Sequence, residues 1–324
     1  MSDKLPGSAK NFLEGNGCIL AASIFWGANV AVTKALIPEW MSAYGITCVR
    51  LIGGCILFWI ASMFVKCVPI RRDDWLHIVL GGLVGLFSFI FLFVTSLRFG
   101  SAIDISIIMT LPPMFVILIN IVFRGARPKL LEYAGVVVSF IGAAIVILAG
   151  NGSSSGGHDY LLGDFLAIMS TICYAFYLVI LEKPTPHYKP VNLLRWVFLF
   201  AAIPALCLVK TMPSEGIFHE FRFAPWLEIS FIIFFPTFIA YFLVQPAIKF
   251  IGSELVSLYQ YTLPIFATIT ALLMGLESIV TSQVVAMVVI IIGMAMTNIG
   301  KRQRVSELEK KPGKATKEAA PEKS

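Results

Sequence analysis

Charge is what this 324-residue sequence has least of: Asp, Glu, Lys and Arg make up 14% of it, where a soluble domain carries about 25%. That shortage excludes an ordinary water-facing globule and narrows the chemistry open to the chain. Its four histidines, His77, His158, His187 and His219, fall at expected loops or helix ends without partners at ligand spacing. A hydrolase or transferase needs a nucleophile beside a base, paired carboxylates or histidine ligands. No such group assembles, so no enzyme activity, metal or cofactor is expected. The six cysteines, Cys18, Cys48, Cys55, Cys67, Cys173 and Cys207, contain no C-x-x-C and lie in or beside apolar runs. They read as small packing residues rather than a disulfide or metal framework. Neither Gly300-Lys301 nor Gly313-Lys314 continues into the Ser or Thr of a P-loop, which excludes ATP-driven transport by this chain alone.

What the sequence has in abundance is apolar length. Hydrophobic residues are 58% of the chain and mean hydropathy is +0.85. They gather in runs of about 20 residues, enough to cross ~30 Å of hydrocarbon as helix. Ten spans are expected, at 15–36, 42–65, 74–97, 102–123, 130–149, 162–181, 191–209, 226–248, 253–274 and 279–299. Barrel strands would alternate in shorter segments, so the fold class is an all-α polytopic membrane protein. The N-terminal stretch MSDKLPGSAKNFLEGNG lacks the pattern of a cleaved secretory signal, and the first helix is expected to stay as an anchor. With ten spans both termini share a side, and that side collects nineteen Lys and Arg against four on the other, which places both termini in the cytoplasm. The net charge of +6 owes +4 to residues 301–324. That segment reads as a disordered basic cytoplasmic tail, open to contact with anionic lipid, and gives no reason to expect nucleic acid.

One sentence is written twice. SLRFGSAIDISIIMTLPPMFVILI begins at Ser96 and AIKFIGSELVSLYQYTLPIFATIT at Ala247, sharing a basic residue with Phe, then Gly-Ser, then Thr-Leu-Pro. Five expected helices precede the polar GNGSSSGGHDY linker and five follow it. An odd number per half inserts the second half upside down, the arrangement of inverted-repeat secondary transporters. Arg50 is mirrored by Arg195 and Gly142 by Gly293. The expected organisation is an N-terminal cytoplasmic segment at 1–14, a first five-helix repeat at 15–149, an extracytoplasmic linker at 150–161, a second repeat at 162–300 and the tail at 301–324.

The segments FWGANVAVTKAL and ITCVRLIGG, the Leu-Pro of the fourth and ninth spans, and GLESIVTSQVVAMVVIIIGM with Glu277 and Gly293 resemble the EamA-type branch of the drug/metabolite transporter superfamily. The resemblance runs from about Gly15 to Gly300; the first half departs from it, with RGARPKLLEYAG where a Glu would sit. It implies export or exchange of small metabolites. The expected location is a bacterial inner (plasma) membrane, and the expected state a monomer or homodimer. A sequon at Asn151-Gly152-Ser153 has meaning only in a eukaryotic secretory membrane.

Polar and aromatic groups at mid-helix are the candidates for a substrate cavity: Trp26, Asn29, Tyr174, Tyr177, Tyr241, Gln245, Tyr259 and Gln260, with Tyr261 beside them. Asn29 and Gln245 are costly to leave facing lipid and point inward, whereas each aromatic taken singly reads first as ordinary packing, or near a helix end as an interfacial anchor. Pro112, Pro113 and Pro264 lie inside expected helices and mark kinks or hinges. Two pseudo-symmetric gate pairs are expected, Arg50 with Asp104 and Arg195 with Glu254; snorkelling of each charge to its own interface is the alternative. Asp104 and Glu254 are also the candidate carriers if protons are the coupling ion. The expected pocket is largely uncharged. It favours amino acids and amphipathic or cationic compounds over nucleotide sugars and sugar phosphates, because the fourth and ninth spans hold no internal basic residue. A lipid-flipping or accessory membrane subunit is the rival class. The topology is checked with a reporter active only in the cytoplasm: it should work when fused after Lys311 and fail when inserted at Ser154, and the reverse pattern would overturn the inverted repeat.

Overall fold

In hydrocarbon a backbone N–H or C=O has no water to turn to, so uncharged runs of Leu, Ile, Val and Phe are stable there only as helix. The computed structural model describes residues 9–37, 39–124, 129–150, 157–276 and 279–310, and among these no strand occurs. The helices are α1 (Ala9–Leu36), α2 (Ala43–Met63), α3 (Arg72–Leu80), α4 (Ser88–Phe99), α5 (Ala102–Ile108), α6 (Pro112–Arg124), α7 (Leu130–Gly150), α8 (Gly157–Glu182), α9 (Pro190–Leu206), α10 (Phe223–Ile232), α11 (Ala240–Leu258), α12 (Leu263–Leu273) and α13 (Thr281–Lys310). Seven helical stretches among the described residues are long and apolar enough to cross a membrane. One of them, Phe223–Leu273, runs through both the eighth and ninth expected spans, while Leu130–Gly142 and Thr281–Thr297 are shorter apolar stretches in the fifth and tenth. Helix α13 continues to Lys310, which corrects the expectation of a disordered tail from residue 301. Glu277, residues 151–156 of the linker, residues 1–8 and residues 311–324 lie outside the described residues.

The repeated sentence proves to be a record of where helices stop. A π-helical segment at 81–87 joins α3 to α4, and another at 233–239 joins α10 to α11. The first Gly-Ser ends α4 and starts α5, where Ser101 Oγ accepts from the Asp104 N–H at 3.0 Å. The second turns the chain inside α11 at Gly252, whose φ of +79° is a backbone conformation open to glycine and strained for other residues. Each Thr-Leu-Pro is a second interruption: α5 ends at Ile108 and α6 begins at Pro112, and a 3₁₀ turn at 259–262 separates α11 from α12. Pro112, Pro113 and Pro264 therefore sit in the first turn of a restarted helix, where a missing N–H costs nothing. They are not interior kinks, which corrects the expectation. The prolines inside helical segments are Pro204, Pro236 and Pro246.

Each first break is held by a charged side chain of the sign its helix end requires. Lys34 Nζ donates to the carbonyls of Leu97 and Gly100 at 2.7 Å, a cation on the C-terminus of α4. In the second half Ser253 Oγ donates to Glu182 Oε2 at 3.0 Å, an anion at the start of the helical segment after Gly252.

Close helix approach does the remaining work, because lipid gives helices little hydrophobic reason to associate and leaves packing to small residues. Helix α1 lies along α11 and α12, α2 along α9, and α7 along α13. In the last pair a Cβ added to Gly293 would stand 2.6 Å from the Gly135 carbonyl oxygen, and one added to Gly142 would meet Ile290. Gly293→Leu should therefore destabilise the protein by about 1–3 kcal/mol through overpacking, read as a lower unfolding temperature in detergent. Gly17→Leu, where an added Cβ meets nothing within 4 Å, should leave that temperature unchanged.

Candidate functional site

The two sets of interruptions open a cavity between the halves. It is nearly closed in this structure, about 20 Å³, and is lined by Trp26, Asn29 and Val30 of α1, Arg50 of α2, Phe89 and Phe93 of α4, Met109 at the first Thr-Leu-Pro break, Tyr174 of α8, Gln260 at the second break and Leu263 of α12. Trp26 is central. Its indole N–H donates to the Pro236 carbonyl at 2.9 Å inside the π-helical segment, and its ring meets Tyr174 and Tyr241 edge-on at 5.7 and 5.5 Å. Tyr177 stacks on Tyr174 at 6.0 Å and meets Tyr241 edge-on at 5.8 Å. Asn29 Oδ1 accepts from Thr33 Oγ1 at 3.2 Å.

Arg50 is 2% exposed. Its Nε donates to Thr237 Oγ1 at 3.2 Å, and Thr237 in turn donates to the Ile232 carbonyl, five residues back in the π-helical segment, at 2.8 Å. Arg50 Nη1 is buried without a hydrogen-bond partner. The pocket is thus not uncharged, which corrects the expectation: the second span supplies the cation that the fourth and ninth lack.

A second cavity, about 750 Å³ of open space, lies at the end of the bundle where α8 passes into α9. Gln245, Lys249, Lys189, His187, Tyr188 and Pro246 are among its walls. Gln245 is 1% exposed, donates to the Tyr177 hydroxyl at 3.1 Å and accepts from Thr185 Oγ1 at 2.9 Å, so it links this cavity to the aromatic cluster behind the first. Tyr188 donates to buried Asp74 at 2.7 Å and pins the loop to the start of α3. Burial pushes the Tyr188 phenol above its ordinary range, so it remains a donor at neutral pH.

Of the expected cavity residues, Trp26, Asn29, Tyr174 and Gln260 come together, Tyr177 and Tyr241 stand immediately behind them, and Gln245 belongs to the second cavity. Tyr259 turns away to donate to Asn16 Oδ1 at 2.6 Å, and Tyr261 packs beside Ala286 and Ile290 of α13. Neither expected gate pair is formed. Asp104 accepts from Gln283 Nε2 of α13 at 2.9 Å, far along the sequence from Arg50. Arg195 lies over the rings of Trp59 and Trp196, at 5.3 and 5.4 Å, and Glu254 accepts from Asn120 Nδ2 at 3.1 Å. The physical reason is that each acid opens a helix near a break and is satisfied there, while the two arginines face different surroundings. Phe89, Phe93, Met109, Leu263, Thr237 and Thr185 escaped the sequence reading. Apolar side chains in an apolar helix carry no mark that separates cavity from lipid, and the Phe89–Phe93 spacing of four was the one available hint.

A cavity between two broken helical halves is the geometry of a carrier, and comparison with known proteins agrees. The EamA-like transporter family matches the chain twice, over residues 13–148 and 161–299. The chain belongs to the EamA-like transporter family. It is a membrane transporter, integral to the bilayer. An uncharacterized transporter of Bacillus subtilis (strain 168), YyaM, is 25% identical over 282 residues, covering 85% of this chain and 90% of its own length. An uncharacterized inner membrane transporter of Salmonella typhimurium, YicL, is 21% identical over 261 residues, 79% of this chain and 85% of its own. A solved crystal structure with 18% identity superposes with a TM-score of 0.64, covering 90% of this chain and 98% of that one, a likeness of fold alone.

Gln245 gives a direct check on the hydrogen bonds of the transporter's second cavity. Gln245→Leu leaves the Thr185 and Tyr177 hydroxyls without that partner and should cost about 1–3 kcal/mol, measured as a lower unfolding temperature; Gln245→Glu, which keeps an acceptor for Thr185 but buries a carboxylate and gives up the N–H offered to Tyr177, should not recover that loss.

Proposed function

We propose that the protein is a secondary transporter that exports or exchanges small metabolites by alternating access between two five-helix halves of opposite orientation. The observation that carries this reading is the central cavity: both halves contribute to it, and a helix break from each, at Met109 and at Gln260, forms part of its wall. Broken backbone is tolerated at membrane depth where it lines a cavity, and it lets half-helices shift against one another. The double match to one family supports the two-half organisation, bacterial relatives support a bacterial inner membrane, and the Lys and Arg distribution supports cytoplasmic termini. Trp26, Tyr174, Asn29 and Gln260 bind the cargo, with Tyr177, Tyr241 and Gln245 forming the path toward the second cavity. Gating rests on the restarts at Pro112 and Pro264. Asp104 and Glu254 fix helix starts, Arg195 anchors α9 among tryptophans, and no coupling ion is assigned.

Counterflow in proteoliposomes against amino acids, amines, nucleosides and sugar phosphates tests the reading. Exchange of one class is expected, and the double variant Trp26→Ala, Tyr174→Ala should lower it by about tenfold or more, a loss of roughly 1.4 kcal/mol in recognition, while the protein remains monodisperse in detergent. Movement of phosphorylated sugars alone would overturn the amino-acid and amphipathic assignment.

A further inference from the structure

A buried cation with an idle donor is expensive. Arg50 sits in the first cavity, 2% exposed, and among the described residues no carboxylate pairs with it. Its one hydrogen bond runs to the neutral Thr237 hydroxyl, through Nε, which leaves Nη1 without a partner inside the protein. The Tyr241 hydroxyl, in electrostatic reach of the same guanidinium, is likewise buried and unpartnered. No acidic residue lines the cavity. An uncompensated charge of this kind lowers stability unless something outside the chain answers it.

The mirrored arginine differs in what surrounds its charge. Arg195, the mirrored residue of the second half, is half-buried and lies over Trp59 and Trp196, where ring faces answer its charge. Each arginine keeps one buried N–H without a partner, Nη1 of Arg50 and Nε of Arg195, but only Arg50 lines the cavity and only Arg50 has no ring face against its charge. The second cavity has the same sign: Lys189 and Lys249 line it, no acidic residue does, and Gln245 in its wall is bonded to Tyr177 of the aromatic cluster. A basic vestibule concentrates anions.

We propose that the cargo is a monocarboxylate with an apolar or aromatic body, its carboxylate held by the Arg50 guanidinium. This rests on the transporter reading and names the substrate class for the same cavity. A guanidinium binds a carboxylate oxygen through charge-assisted N–H bonds, and one guanidinium balances one negative charge. A phosphate dianion would need a second cation, which the lining does not contain. Asn29 and Gln260 take the polar remainder of the molecule, and its body packs between Trp26, Tyr174 and Phe93.

The test is counterflow in proteoliposomes with phenylacetate, L-phenylalanine and 4-methyl-2-oxopentanoate, each beside its neutral primary amide, with glucose 6-phosphate and phenethylamine as further arms. Carboxylates should exchange at least about tenfold faster than their amides, the discrimination expected of a site built to bond one polar group. Arg50→Gln should erase that preference, and Arg50→Lys should retain part of it. The wild-type acid-to-amide comparison decides the matter even if Arg50→Gln does not fold. If amides, the amine or the sugar phosphate exchange as well as the acids, the carboxylate assignment falls and the transporter reading stands. If carboxylates exchange equally through wild type and a folded Arg50→Gln, Arg50 is not their site and the proposal falls. If no compound exchanges through folded, reconstituted protein, the carboxylate assignment falls, and the transporter reading stands on the wider panel of amines, nucleosides and sugar phosphates.

Discussion

Irregular helix inside a membrane needs polar partners from neighbouring elements, and in this protein the Pro236 carbonyl receives the indole N–H of Trp26. The constraint is set by the solvent: hydrocarbon offers no hydrogen bond, so every departure from regular helix needs a named partner. Much of the cavity follows from that one contact. It holds the Trp26 ring at the meeting point of Tyr174 and Tyr241, and so ties α1 to α8 and to the helix broken at 233–239. The same π-helical segment turns Thr237 to a carbonyl five residues back and presents its hydroxyl oxygen to Arg50. A π-bulge is rare in a helix and is commonly retained for function. Here it supplies two of the contacts that position the cavity's indole and its cation.

Charge is used sparingly elsewhere, and nearly always to finish a helix. Lys34 closes α4, Glu182 accepts at the restart after Gly252, and Asp104 and Glu254 stand in the first turns that follow the Gly-Ser breaks. In each case a fixed charge meets the helix dipole or a side-chain amide. Arg195 and Asp164, inside helices, depart from this, and Arg50 does so in the cavity, where it meets a hydroxyl and keeps an unpartnered N–H. Arg50 and Arg195 differ in their surroundings: Arg195 lies against Trp59 and Trp196, and Arg50 lines the cavity.

How far the site was legible depended on the residue type. Trp26, Asn29, Tyr174 and Gln260 stood out because polar or amphipathic groups in the middle of apolar helices need a partner other than lipid, and all four line the cavity. Tyr259 looked the same in sequence, but one helical step turned it toward Asn16. Phe89, Phe93 and Met109 could not be told from lipid-facing neighbours, since the lipid and the cavity wall ask for the same chemistry. The prolines were seen and misplaced by a turn. Proline reports that a backbone bond is missing, yet the sequence does not say whether the helix bends there or has already ended.

By itself the sequence determined that this chain lives in a membrane, that its backbone is helical, and that its two halves interrupt their helices at the same places, since apolar length, hydrogen-bond satisfaction and turn-forming residues act locally along the chain. Its motifs also carried the family resemblance. Only the tertiary structure decided which charges meet. Pairing depends on how far each helix is rotated and shifted against its neighbours, and a rotation of 100° per residue moves a side chain from cavity to lipid without changing the apolar pattern that the sequence displays. That rotation placed Arg50 in the cavity without a carboxylate, set Asp104 against Gln283, and put Arg195 between two tryptophan rings.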